Sequence, residues 1–351
     1  MKRDFLMLDD PAFVGRVERV AAWEAEQYRR VPPDQVEYFD PAARERHGDN
    51  WARLEERLPA GALWRIRGAV VRGKGLITID GAVVRNNLEG ISAQQVEKLL
   101  EDERPPTQCV GEPILYTTRY GIKNYGHCLS DILPRTCWAA PLARGARLAV
   151  HRDAPPALLA AFERSGFRTT GFARPGDEVL EVDDLWFVDL WNRHPLAHSP
   201  RILDFLRALS GRCRKPDSAQ AGGPRKLYVG RADAITRRIS NPEVVARLLA
   251  RRGFAEVRCG AMSLEEQICT FSAATEIVAI AGAALTNLVF CAPGTRVTML
   301  APATMNAGYF WDLACQAGLP IRIGYFPAQN EARGIHADFE VTPAQLERLI
   351  G

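Results

Sequence analysis

Two stretches of this chain carry side chains spaced for proton and phosphate chemistry. In the first, His127 and Asp131 stand four residues apart on a predicted helix, hence on one face of it. A carboxylate beside an imidazole orients it and raises its pKa, and such a pair could take a proton from a hydroxyl group. A plainer arrangement uses the same residues: His127 caps or packs at a helix start, and Asp131 binds Arg135 one turn on. The second stretch runs from Glu276 to Leu300. Its apolar run Ile277 to Ile280 reads as a buried parallel strand. Small residues follow, Ala281, Gly282, Ala283 and Ala284, then a short helical stretch from about Leu285 that ends before Pro293-Gly294, then a second strand from Val297. Strand, small-residue turn, helix and strand is a unit that binds phosphate groups in α/β proteins. Gly282 lets backbone approach a ligand, N–H groups at the helix start favour an anion, and Thr286 and Asn287 add side-chain hydrogen bonds at that end. The same turn also serves where a strand and helix simply pack tightly.

A third group joins the second if the sheet is parallel. Lys226 to Gly230 reads as a strand followed by Arg231, with Arg237 and Arg238 a little further on. Arginines after a first strand stand at its carboxyl end, beside the later small-residue loop, and would clamp a diphosphate. A solvated basic loop would look the same. There is no G-x-G-x-x-G and no Gly-Lys-Ser/Thr, so an ordinary NAD fold or P-loop is not supported.

The elements that must position these residues are expected in order. Residues 1 to about 60 read as amphipathic helix broken at Pro11, Pro32-Pro33 and Pro41. From Ala62 to Arg85, apolar and alternating runs with turn signals at Gly73, Gly75 and Asp80-Gly81 predict a small antiparallel meander. A charged helix over 88–106, a strand from Ile114 to Thr118 and a β-α-β run to Leu190 complete a first domain, 1–195. His194 and His198 fall in a Pro-punctuated connection and are read as loop residues. A linker is placed at 196–224, Gly/Pro-rich from Lys215 to Pro224, and a second, Rossmann-like domain at 225–351. Its signals are the helix start Asn241-Pro242-Glu243, a capping box at Ser263 and Glu266, and a capped terminal helix from Thr342 that could pack back on the first domain.

The chain has 351 residues, room for two domains, and its 47% apolar content is that of a globular protein with a core. A net charge of +3 excludes a strong nucleic-acid binder. Eight cysteines without C-x-x-C pairs read as reduced, buried thiols, with no zinc site expected. No run approaches the ~18 apolar residues of a membrane span. The expectation is a cytoplasmic protein, in peripheral contact with the inner membrane face if it works at a membrane.

The run Gly-Ala-Ala-Leu-Thr-Asn-Leu-Val-Phe-Cys-Ala-Pro-Gly-Thr-Arg-Val from Gly282 resembles the signature of glycosyltransferase family 61. The segment Asn124-Tyr125-Gly126-His127, followed by Asp131 and Leu133-Pro134-Arg135, resembles that family a second time. A third likeness lies in Arg231, Arg237, Arg238 and in Met262-Ser263-Leu264-Glu265-Glu266-Gln267, which resembles the family's Leu-Ser-x-x-Glu-Gln segment and carries Glu266 and Gln267. One departure stands out: relatives carry a histidine just before the Gly-Ala pair, and here the aligned residues are Ala279, Ile280 and Ala281. The resemblance implies an α/β enzyme of GT-B type, two Rossmann-like domains facing a cleft, here with an N-terminal helical and β-meander extension. It implies sugar transfer from a nucleotide-diphosphate donor, expected to be UDP-linked, to a glycan or lipid-linked glycan acceptor in surface polysaccharide synthesis. Transfer would invert the anomeric centre without a cofactor or metal, in keeping with the absence of Asp-x-Asp from the sequence. It implies His127 and Asp131 as catalytic residues, and Asn124, Tyr125 and Arg135 on the acceptor side. Arg231, Arg237, Arg238, Glu266, Gln267, Gly282, Ala283, Thr286 and Asn287 are implied at the donor. A binding homologue without activity is the alternative, favoured by the missing histidine. A nucleotide-sugar epimerase lacks the Tyr-x-x-x-Lys pair it needs.

Overall fold

The computed structural model describes residues 4–72, 75–88, 91–101, 104–119, 121–165, 167, 172–173, 178–189, 197–213, 224–231 and 234–351. The expected turn residue Gly73, the connection at 191–195 with His194, and the linker segment 215–223 lie outside them. The chain is a mixed α/β protein of two compact units. The first comprises Met1–Glu26 and Arg57–Phe205, and the second Gln27–Glu56 and Leu206–Gly351.

The first unit is built on a ten-stranded mixed sheet. Across it run Phe5–Leu6, Ala82–Val84, Leu76–Ile79, Gly61–Arg72, Leu180–Val188, Ile114–Tyr116, Arg147–Ala149 and Phe172–Ala173. Val17–Trp23 adds to Gly61–Arg72, and Gln108–Val110 to Leu180–Val188. The predicted meander is present: Gly61–Arg72, Leu76–Ile79 and Ala82–Val84 pair antiparallel in sequence. Beyond Leu180–Val188 the sheet turns parallel, with Leu115 opposite both Trp186 and Leu148. Residues such as Ile66, Ile77, Ile114, Leu185 and Phe187 point into one core without solvent contact or nearly so.

The second unit carries a six-stranded sheet, parallel throughout, in the order Ala255–Val257, Lys226–Val229, Glu276–Ile280, Arg296–Pro302, Ile321–Phe326, Gln35–Tyr38. From Lys226–Val229 the chain passes through the helix Pro242–Arg251 to one side, then through the helix Leu264–Ala273 to the other. The strand order therefore reverses between Lys226–Val229 and Glu276–Ile280, and the carboxyl ends of these two strands open the crevice where open α/β sheets bind ligands. The terminal helix Pro343–Ile350 packs within this unit, Leu346 and Leu349 joining the core beside Phe326 and Phe339.

Four expectations are corrected. The described residues up to 60 form five strands, Phe5–Leu6, Val17–Trp23, Glu26–Arg29, Gln35–Tyr38 and Glu55–Leu58, and one α-helix, Pro41–His47, started by Asp40 whose side chain accepts from the Ala42 N–H. Strand Val17–Trp23 is half-buried along much of its length and so lacks a clean two-residue alternation. The N-terminal domain is not continuous, because Gln35–Tyr38 forms the sixth strand of the second unit, and Arg30, Glu56 and Asp312 form a buried ion cluster there. The helix Pro200–Cys213 occupies much of the expected linker, and the two units divide within it. The thiols also differ from expectation: Cys128 and Cys291 are buried, but Cys109 and Cys137 are exposed.

Candidate active site

In the first unit, the strand Ile114–Tyr116 ends at Thr117, Thr118 and Arg119, all buried. After a turn, Asn124 starts a short helix, its side chain accepting from the Gly126 N–H at 2.9 Å. From Cys128 to Ile132 the helix widens to π geometry, and the Leu133 N–H reaches the Cys128 carbonyl at 2.9 Å. Such bulges recur at functional sites because they re-aim side chains. Here the four-residue spacing survives: His127 Nδ1 lies 2.9 Å from Asp131 Oδ2. Asp131 has no exposed side-chain surface, whereas the His127 ring is 27% exposed. The carboxylate's other oxygen accepts from Ser130 Oγ at 3.0 Å, and Arg119 Nη1 stands 3.7 Å from Oδ2. A carboxylate held this way accepts a hydrogen bond from the ring's Nδ1–H and leaves Nε2 as the ring's acceptor. Gly121, at φ +95°, closes over the ring; a Cβ there would lie 3.2 Å from His127 Cδ2.

The plainer expectation, Asp131 hydrogen-bonded to Arg135, is replaced by Asp131 with His127, Ser130 and Arg119. Arg135 instead donates from Nη1 to Asn87 Oδ1 at 3.0 Å and lies over the Phe187 ring. Burial, and then the neighbouring Arg119, pushes its pKa down to about 9. Tyr125 is half-buried in the first turn of the short helix. Sequence reasoning missed Arg119, Ser130 and Asn87. Asn87 Nδ2 also donates to Gly75 O at 2.7 Å and Thr118 O at 3.1 Å, tying the meander to the strand end that carries Arg119. Arg119 had one signal, its place just past a predicted strand; Asn87 had none.

In the second unit, the expected strand, small-residue turn, helix and strand are present, with the helix of 3-10 type from Ala283 to Phe290. Gly282 is extended at φ 178°, so its lack of a side chain matters for space. A Cβ there would meet Arg231 Nη1 at 1.9 Å. The guanidinium of Arg231 thus lies directly over Gly282, at the crevice between the two strand ends, and donates to Thr236 O at 3.3 Å. Arg237 joins it: Nη1 donates to Ala281 O at 2.8 Å and Nε to Ile335 O at 2.7 Å. Its backbone is left-handed, φ 55°, a conformation that costs a residue with a side chain ~1 kcal/mol or more. Burial, then Arg231, pushes the Arg237 pKa down to about 10. Two guanidiniums share this corner, both braced by backbone carbonyls, an arrangement that an anion would stabilise.

The other sequence-selected donor residues are placed differently. Arg238 pairs with Asp338, 3.5 Å away. Glu266 is exposed and closes the capping box with Ser263. Gln267 and Asn287 are buried and bond to each other, Asn287 Nδ2 to Gln267 Oε1 at 2.6 Å. Thr286 is buried within 3.5 Å of the Tyr309 hydroxyl. The Asn241 side chain does not cap its helix; it bonds both backbone groups of Val341. The structure therefore brings Arg231, Arg237 and Gly282 together, next to Ala283, and turns Glu266, Gln267, Thr286 and Asn287 to partners of their own.

These features define a mixed α/β protein with paired arginines at the switch point of a parallel sheet and, in its other unit, a carboxylate-oriented imidazole. Residues 125–298, which include both groups, match the family model described as Glycosyltransferase 61. That match assigns the chain to glycosyltransferase family 61, and its family 61 domain makes it a glycosyltransferase. No curated protein matches the chain.

Proposed function

We propose that the enzyme moves a sugar from a nucleoside-diphosphate donor to a hydroxyl of a glycan or lipid-linked glycan, inverting the anomeric centre, in surface polysaccharide synthesis. The architecture proposed is GT-B, with the donor on the second unit and the acceptor on the first. The observation that carries the reading is the corner where Arg231 overlies Gly282 and Arg237 is fixed by Ala281 O. In the proposed step, the acceptor oxygen bonds to the anomeric carbon as that carbon's bond to the diphosphate oxygen breaks. The hydroxyl proton goes to His127 Nε2, and Asp131 stabilises the imidazolium that forms. The electron pair departs with the diphosphate and is met by Arg231 and Arg237.

The test is a panel of UDP- and GDP-sugars assayed for transfer or slow donor hydrolysis, with His127→Ala beside the native enzyme. Turnover should fall by roughly 10²- to 10⁴-fold while nucleotide binding survives. Full activity in that variant would remove His127 from the role of base. A second reading, a sugar-nucleotide-binding homologue without turnover, draws on Ala281, which is buried where relatives carry histidine. Donor binding with no hydrolysis across the panel would favour it.

A further inference from the structure

Two helices of the second unit, Pro242–Arg251 and the terminal Pro343–Ile350, pack side by side with Val245, Leu249, Leu346 and Leu349 turned into the core. On their outer side they leave a groove of about 450 Å³. Val244, Leu248 and Pro343 supply its apolar walls, with Val244 and Leu248 half-buried. Arg247, Arg251 and Arg252 rim it, all three exposed, against one carboxylate, Glu347. Arg252 stands 3.8 Å from that carboxylate. Arg247 Nε donates to the Glu243 carbonyl at 3.2 Å, which leaves its charge unmatched. Among the described residues neither Arg247 nor Arg251 has an ion-pair partner. They lie one turn apart and stand over the same stretch of groove. The chain as a whole carries only +3, so the attraction exerted here is local.

Apolar carbon under a row of guanidiniums suits a partner that is phosphate at one end and hydrocarbon at the other. A free phosphate would leave the apolar walls in water. Among the described residues no helix is long and apolar enough to cross a membrane, so an acceptor carried on a lipid has to be reached from the bilayer surface. We propose that this groove seats the headgroup of an anionic phospholipid and docks the second unit on an anionic bilayer. Arg247 and Arg251 hold the phosphate, and Val244, Leu248 and Pro343 meet the first acyl carbons. The inference draws on the lipid-linked form of the proposed acceptor and is independent of the donor corner.

The test is co-sedimentation of the full chain with vesicles of phosphatidylcholine alone and of phosphatidylcholine mixed with phosphatidylglycerol, with neither donor nor acceptor present. The native enzyme should partition onto the mixed vesicles and leave the neutral ones, and the partition should fall as salt rises. An arginine near an anionic surface is worth roughly fivefold, so Arg247→Gln with Arg251→Gln should weaken binding roughly thirtyfold. Both side chains are exposed, so the melting temperature of the double variant should stay near native. Val244→Ser alters no charge and should weaken binding severalfold by wetting the apolar wall. Equal partition onto both vesicle types, or binding to mixed vesicles unchanged in the double variant, overturns the assignment. An acidic protein segment as the occupant would give that result. Donor hydrolysis measured in solution reports separately on the arginine corner, so the two readings fail independently.

Discussion

Substituting one methyl group at Gly282 tests the arginine corner without touching a charge. Gly282 is extended, so alanine meets no backbone strain. Its Cβ would stand 1.9 Å from Arg231 Nη1, 2.9 Å from Cζ and 3.3 Å from Cδ, all atoms of a flexible side chain. The guanidinium must swing away, losing its 3.3 Å hydrogen bond to Thr236 O. That bond contributes about 1 kcal/mol at most to folding, so Gly282→Ala should leave the melting temperature within a few degrees of native. The diphosphate loses a charge-assisted partner, about 1.5–3 kcal/mol, or roughly ten- to hundredfold in affinity. The assay is calorimetric titration with UDP and with inorganic diphosphate in a double-mutant cycle. In an Arg231→Ala background, Gly282→Ala has nothing left to displace and should be silent. Undiminished affinity in Gly282→Ala, or equal losses in both backgrounds, would refute the placement of the anion under Arg231.

Asp131→Asn keeps the shape of the side chain but not the charge that fixes the His127 tautomer; turnover should fall by at least tenfold with donor affinity unchanged, read from single-turnover rates. Asp312→Ala removes one of the two carboxylates that hold the buried Arg30, the one at 2.7 Å, and leaves it paired with Glu56 beside the Trp311 ring; about 1.5–3 kcal/mol of stability should be lost in urea unfolding. His47 gives the pH dependence. Burial holds its pKa below 6.5, where it stacks on Tyr325 and Nε2 meets Ala303 O at 2.9 Å. As pH falls through 6.5 the unfolded chain takes up a proton that the folded ring refuses, so stability drops, by up to about 1.4 kcal/mol per pH unit. Urea midpoints at pH 7.5 and 5.5 should converge in His47→Gln; an equal drop in both proteins would exclude His47 as the cause.

The second sheet was legible because a fully buried parallel strand writes itself as an unbroken apolar run, as Ile277 to Ile280 does, and its helices announce themselves through caps such as Ser263 with Glu266. The corner followed, since any arginine after the first strand must stand near the loop after its parallel neighbour. What stayed hidden depended on contacts remote in sequence. Gln35–Tyr38 is intermediate in burial at every position and looks like any short surface segment until Ile321–Phe326 stands beside it. Thr286 and Asn287 have the composition of ligand contacts, yet the turn of the 3-10 helix aims them at Tyr309 and Gln267. In the first unit the four-residue spacing of His127 and Asp131 held despite the π geometry around them, whereas Asn87 came from a short turn beyond the meander and nothing local marked it.

The strand Gln35–Tyr38 also sets an order of assembly. It is synthesised long before its partner and waits, unpaired, until Ile321–Phe326 emerges much further along the chain. A gene fragment beginning at Leu206 would yield a sheet with a naked apolar border and an Asp312 carboxylate deprived of Arg30, both invitations to stick to neighbouring copies. Anyone wishing to express the second unit alone should graft residues 27–56 ahead of Leu206 by a short tether, so that the sixth strand is present.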